Sequence, residues 1–175
     1  MKQTATLAAL LVTLSLTGTF AAADWPWLYG PRHDGTSDQK KLLRTWPKEG
    51  PKVLWTVPVR PGFGGAAIGG GKVYLLDRDE QVGDTLRVLD FGTGKELWSV
   101  QGLQMQCIPT PVASGGRLFA AGGRDSSALS VRLDAEARGD LTKTHVAWKA
   151  RCGTNVPSPL VLDGLCYCVE DGGFG

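Results

Sequence analysis

A short phrase recurs along this chain at a spacing that few folds accommodate. Around Gly71 the sequence reads GGAAIGGGKVYLLDRDE, around Gly116 PTPVASGGRLFAAGGRD and around Gly164 PSPLVLDGLCYCVEDGG. The three glycines lie 45 and 48 residues apart, and each leads into a pair of residues in one phase: Val73-Tyr74, Leu118-Phe119 and Cys166-Tyr167. Five positions before each glycine stand Ala66, Pro111 and Pro159, at the start of a short apolar strand. Trp55 in KVLWTV, Trp98 in KELWSV and Trp148 in HVAWKA keep the same phase, preceding the next glycine by 16, 18 and 16 residues. A period of this length marks one supersecondary unit that buries its apolar faces only against its neighbours.

One unit can be drawn from these marks. An apolar strand ends near Ile68, a glycine turn covers 69 to 71, and a second strand carries Val73, Tyr74 and Leu76 into an acidic loop. A third strand ends at Leu89-Asp90, Gly92-Thr93-Gly94 turns the chain, and a fourth carries Leu97 and Trp98. Four short strands in about 45 residues is the dimension of a propeller blade. The 24 glycines and 10 prolines, and the lack of helical periodicity after the first twenty residues, agree with an all-β chain. The three tryptophans are assigned to packing between blades, where such a side chain buries roughly 150–250 Å².

The stretch VLDFGTGKELWSV, residues 88 to 100, contains two words that suggest other chemistry. Asp90-Phe91-Gly92 spells a kinase metal-binding triplet, but the chain has no H-R-D-x-x-x-x-N loop to accompany it. Gly92-Thr93-Gly94-Lys95 resembles the end of a phosphate loop. There the glycine five before Gly94 is Leu89, and no Ser or Thr follows Lys95. The stretch reads as third strand, turn and fourth strand, with Asp90 bonding turn amides and Gly94 at a positive φ.

These residues resemble a known family, the pyrroloquinoline-quinone-like (PQQ-like) repeats, whose blades end in leucine-aspartate, threonine-glycine-lysine and leucine-tryptophan. LDFGTGKELW matches that ending, and DWPWLYGPRHDGTS, GDLTKTHVAWKA and VPSPLVLDG are similar to exported members. The resemblance covers residues 24–175 and extends to propellers that help assemble outer-membrane proteins. It implies a β-propeller of four-stranded blades, incomplete in this chain, with repeats at about 65–100, 110–150 and 158–175, the last truncated. The closing strand of one further unit is expected near Trp55. The repeat name also implies an alternative, a PQQ-dependent alcohol dehydrogenase holding quinone and calcium in missing blades, beneath a disulfide of adjacent cysteines. No two cysteines are adjacent here.

The N-terminus, MKQTATLAALLVTLSLTGTFAAADWP, has Lys2, an apolar run from Leu7 to Leu16 and a small-x-small pattern before Asp24, which predicts a signal peptide over 1–23 and export. That run is shorter than the roughly 20 residues that span a bilayer, so no stable membrane anchor is expected. The formal charge of +2, spread along the chain, gives no footprint for nucleic acid. Four cysteines allow two disulfides in three connectivities. Cys166 and Cys168 share one strand face, so a bond for either is expected to Cys107 or Cys152, with free buried thiols as the alternative.

Four other words are read as scaffold. Asp77-Arg78-Asp79-Glu80 is taken as a solvated hairpin loop rather than a calcium site. Gly62-Phe63-Gly64-Gly65-Ala66-Ala67 leads into a strand, not the helix of a dinucleotide fingerprint. Arg138-Gly139-Asp140 is placed in a polar connection that lengthens the second blade. His33 and His145, the only histidines, lack evident catalytic or metal partners.

The sequence thus predicts an exported propeller that binds a protein partner or acts as an assembly scaffold, with no catalytic residues and no cofactor. PQQ and calcium belong only to the enzyme alternative. The repeat positions Trp55, Trp98, Trp148, Gly71, Gly116 and Gly164 are structural, and remaining blades or self-association are needed to close the ring.

Overall fold

The computed structural model describes residues 24–169 apart from Glu80, Val82, Met105, Gln106 and Asp125. The expected signal peptide and residues 170–175 lie outside this range. Among the described residues there is no helix. The first sheet holds β1 (Ala67–Gly69), β2 (Lys72–Asp77), β3 (Asp84–Asp90) and β4 (Glu96–Leu103), paired antiparallel in chain order. The second holds β5 (Val112–Ser114), β6 (Arg117–Ala121), β7 (Ser127–Arg132) and, after the short β8 (Gly139–Asp140), β9 (Val146–Arg151). A hairpin of β10 (Leu160–Leu162) and β11 (Leu165–Tyr167) opens a third unit. The fold is all-β, two four-stranded blades and the start of another.

The first turn of each unit is the same object. Gly70-Gly71, Gly115-Gly116 and Asp163-Gly164 all have positive φ, at 55 and 71°, 57 and 71°, and 50 and 77°. Two such residues make the two-residue hairpin turn whose twist matches that of the flanking strands. Asp163 is one of the few side chains that tolerate this conformation.

The turn from β3 to β4 is held differently. The Asp90 carboxylate accepts the Thr93 amide at 2.8 Å and its hydroxyl at 2.7 Å, and Gly94 N–H donates to the Asp90 carbonyl at 2.8 Å. The hydrogen bonds from Thr93, hydroxyl first, lower the Asp90 carboxyl below its ordinary value. Gly94, at φ 71°, is also a seat. A Cβ there would lie 2.6 Å from the Trp55 ring, whose Nε1 donates to the Phe91 carbonyl at 2.9 Å. The strand expected around Trp55 does not form: residues 51–61 belong to no named strand, and Trp55 docks as a side chain instead.

Alternation along the strands sets the core. Tyr74, Val88 and Trp98 stand in one cross-strand row and Leu76, Leu86 and Val100 in the next. Both rows face the second blade and join one cluster with Leu118, Ala120, Leu129, Val131, Ala137 and Leu141. Trp98 is 2% exposed and meets Tyr74 edge-on, ring centroids 6.5 Å apart. Its burial is worth up to about 4–6 kcal/mol at 25 cal/mol per Å².

Two edges are covered in ways the sequence did not announce. Trp25 exchanges both backbone hydrogen bonds with Ile68, at 2.8 and 2.9 Å, capping the free side of β1. Gly139-Asp140 pairs parallel with Trp98-Ser99, and Leu141 N–H donates to the Ser99 carbonyl at 2.9 Å. The connection read as a solvated extension of the second blade therefore closes the outer edge of the first. The reason is that an unpaired strand edge seeks hydrogen bonds.

Trp148 differs from Trp98. It meets Phe119 at 6.1 Å but stays 37% exposed, because among the described residues the third unit contributes only β10 and β11. Accordingly, Trp98→Ala is expected to cost about 3–5 kcal/mol and Trp148→Ala about 1 kcal/mol or less in denaturant unfolding. Equal losses contradict the packing described. At the turns, Gly94→Ala should cost about 2–4 kcal/mol and red-shift tryptophan emission. Gly116→Ala, where a Cβ meets open space, should cost only the left-handed penalty of about 1–2 kcal/mol.

Candidate interaction surface at the loop end

Antiparallel strands send alternate connections to opposite ends of the blades. The tight turns carrying Gly71, Gly94, Gly116 and Gly164 share one end with the Trp55 contact. The other end gathers the described residues of the connections between β2 and β3, β4 and β5, β6 and β7, and β9 and β10. Among the described residues, four of the five buried polar ones, Asp84, Thr110, Ser126 and Thr154, lie at that end. Buried polar groups are retained where they bond something specific.

Here the Asp84 and Ser126 side chains and the backbone amides of Thr110 and Thr154 tie neighbouring loops together, while the Thr154 hydroxyl itself is buried without a hydrogen-bond partner. Asp84, 3% exposed, accepts the Cys107 amide at 2.6 Å, joining the start of β3 to the passage between blades. Gln104 N–H donates to the Ser126 hydroxyl at 3.1 Å, and Gly123 N–H to the Gln104 carbonyl at 3.1 Å. Thr154 N–H reaches the Gly122 carbonyl at 3.1 Å, and Thr110 N–H the Ser158 hydroxyl at 3.0 Å. The loops form one chain of contacts running from blade to blade. Burial, and next the Asp84 carboxylate, push the Cys107 thiol far above its ordinary value, so it serves as packing.

Ion pairs flank this end. Arg87 donates to Asp77 at 2.7 Å, to Glu96 at 2.7 Å and to the Pro58 carbonyl at 3.1 Å. Burial alone lowers the Arg87 pKa, but its bonds to Glu96 and Asp77 outweigh that and raise it. Asp77 also accepts the Arg60 amide at 2.9 Å, and Asp79 pairs with the Arg60 guanidinium. The acidic loop is therefore not simply solvated: Asp77 and Asp79 are 13% and 17% exposed at the side chain and engaged with arginines. Only Glu80 of that group lies outside the described residues.

The remaining sequence words have structural positions too. A Cβ on Gly64 would sit 3.1 Å from the Cys107 carbonyl, so the glycine-rich entry to β1 permits a close backbone crossing. His145 Nδ1 shares a 2.8 Å hydrogen bond with the Thr144 hydroxyl, and Nε2 lies 4.0 Å from Asp134, so this histidine has partners that the sequence did not reveal. These groups close the long connection between β7 and β9. His33, at φ 57°, stacks against Trp27 with centroids 5.1 Å apart. Among the described residues no group of three or more His, Cys, Asp or Glu side chains is placed to hold a metal ion.

Removing the acceptor at Asp84 leaves a buried amide unpaired. Asp84→Ala should therefore cost about 2 kcal/mol in unfolding, whereas Asp84→Asn, which retains an oxygen acceptor, should cost less than about 1 kcal/mol. Equal effects of the two substitutions contradict the role of this bond.

Comparison with known proteins agrees with the repeat and the blades. No curated protein matches the sequence. The model of the family described as outer membrane protein assembly factor BamB matches residues 16–135, a span that takes in the whole first blade and three strands of the second. With more than half its length so matched, the chain belongs to this family of PQQ-repeat proteins.

Proposed function

We propose that this protein is an exported PQQ-repeat propeller acting as a protein-binding or assembly scaffold, with the loop end as its docking face. The observation that carries this reading is the blade-to-blade chain of hydrogen bonds through Asp84, Gln104, Ser126, Gly122 and Thr154. A docking face works best when its loops are already ordered, because less conformational entropy is lost on association. The fastened loops still present exposed groups such as Gln104 and Arg124. The family's description as an assembly factor points the same way, and the N-terminal leader pattern supports a periplasmic or extracellular location.

The test is site-specific photocrosslinking in cells that export the full-length protein. A crosslinker at Arg124, on the loop end, should capture a discrete outer-membrane protein precursor, and one at Lys95, on the turn end, should not. Equal capture from both ends, or none from either, overturns the docking face. Dye-linked alcohol oxidation that appears on adding PQQ and calcium overturns the scaffold reading in favour of the quinoprotein.

A further inference from the structure

The wall between the second blade and the third hairpin departs from the packing of the first interface. Strand register makes the two comparable position by position. The row Tyr74, Val88, Trp98 becomes Phe119, Ser130, Trp148, and the row Leu76, Leu86, Val100 becomes Ala121, Ala128, Ala150. Three large apolar side chains are replaced by alanines, and a valine by serine. A cavity of about 590 Å³ opens there, lined in part by Phe119, Trp148 and Ala150.

Three thiols converge on the same wall. Counted from the hairpin glycines, Leu118 and Ala120 of β6, which pack against the first blade, correspond to Cys166 and Cys168. Both line the cavity, and so does Cys152, just past the end of β9. The Cys166 and Cys168 sulfurs are 3.9 Å apart, and the Cys152 side chain hydrogen-bonds Cys168. All are reduced in this structure.

We propose that Cys152 and Cys168 form a disulfide that staples the outer strand of the second blade to the third unit, leaving Cys166 as a thiol. Joining Cys166 to Cys168 instead would close a ring between residues two apart at the end of β11, which distorts the backbone. Burial raises both thiols above their ordinary value, Cys166 and Cys168 alike. The thiolate is then a minor form, which slows exchange without preventing it, and the neutral disulfide that results suits an apolar wall. The oxidant is a disulfide compound such as oxidised glutathione. One cysteine thiolate attacks it and expels a glutathione thiolate. The second cysteine thiolate then attacks the protein sulfur of the mixed disulfide and expels the other. Two cysteine thiols lose two electrons and two protons, and the oxidant leaves as two thiols.

The test is a disulfide map of the whole chain equilibrated in a glutathione redox buffer, alkylated under denaturing conditions and cleaved before aspartates. Cleavage at Asp163 separates Cys152 from Cys166 and Cys168. Two of the four cysteines should lose their label, and the peptide ending at Leu162 should be linked to the peptide of residues 163–170. The link should persist in Cys166→Ser and vanish in Cys168→Ser. Full labelling of Cys152, a bond within the 163–170 peptide, or a link carried by Cys166 overturns the proposal. So does a metal ion that co-purifies and shields all three thiols. Where a variant fails to fold, fragmentation of the linked 163–170 peptide of the unsubstituted chain decides, since the alkyl label should sit on Cys166 and not on Cys168.

Discussion

Each sheet here is apolar on faces it cannot bury by itself, and that constraint governs the rest of the structure. The first blade meets it through the rows of Tyr74, Val88, Trp98 and Leu76, Leu86, Val100, which have no interior until Leu118, Leu129 and Val131 of the second blade close over them. Stability is therefore a property of the contact between blades, as in other repeat proteins where neighbour terms dominate. The edges obey the same logic in hydrogen bonds. Trp25 covers β1 and Gly139-Asp140 covers β4, so neither edge of the first sheet presents a bare ladder.

Burying apolar faces leaves polar loops to be managed, and the two ends of the blades manage them differently. At the turn end most devices are local, positive φ at paired turn residues and the Asp90 carboxylate gathering the amide and hydroxyl of Thr93, with the Trp55 indole the long-range exception. At the loop end the bonds between loops are long-range, linking residues 19 to 48 positions apart. The docking face proposed for the loop end draws on that stitching, because loops already ordered lose less conformational entropy on association.

The fold class was legible because both of its marks are local. A two-residue glycine turn and a tryptophan in the fourth strand repeat wherever a blade repeats, so the period is visible without tertiary knowledge. What stayed hidden depends on contacts between distant residues. Nothing near Arg138-Gly139-Asp140 announces that it pairs with β4, because the pairing uses backbone groups that every residue has. Asp77 and Asp79 read as a solvated loop because their arginines, Arg60 and Arg87, are supplied from other segments. Asp84 carried no signal at all. A lone aspartate opening a strand is unremarkable until the chain brings Cys107 to it. The thiols were half legible: alternation put Cys166 and Cys168 on one face, but only the register of β9 brings Cys152 beside them.

The two interfaces are unlikely partners in strength, and the difference can be weighed. Shortening a packed leucine to alanine costs about 2–5 kcal/mol in a core, so a wall with Ala121, Ala128 and Ala150 in place of Leu76, Leu86 and Val100 forgoes several such contributions. A disulfide closing a loop of about 15 residues returns roughly 3 kcal/mol by restricting the unfolded chain. A covalent staple thus offsets about one truncated side chain and not three. The joint after the second blade remains the weaker one even when oxidised, and the pair of blades around Trp98 is the unit that opens last. A staple also does something that leucines do not: it fixes the position of β11 against β9 while leaving the wall thinly packed. Order at that joint is then set by covalent geometry more than by apolar packing.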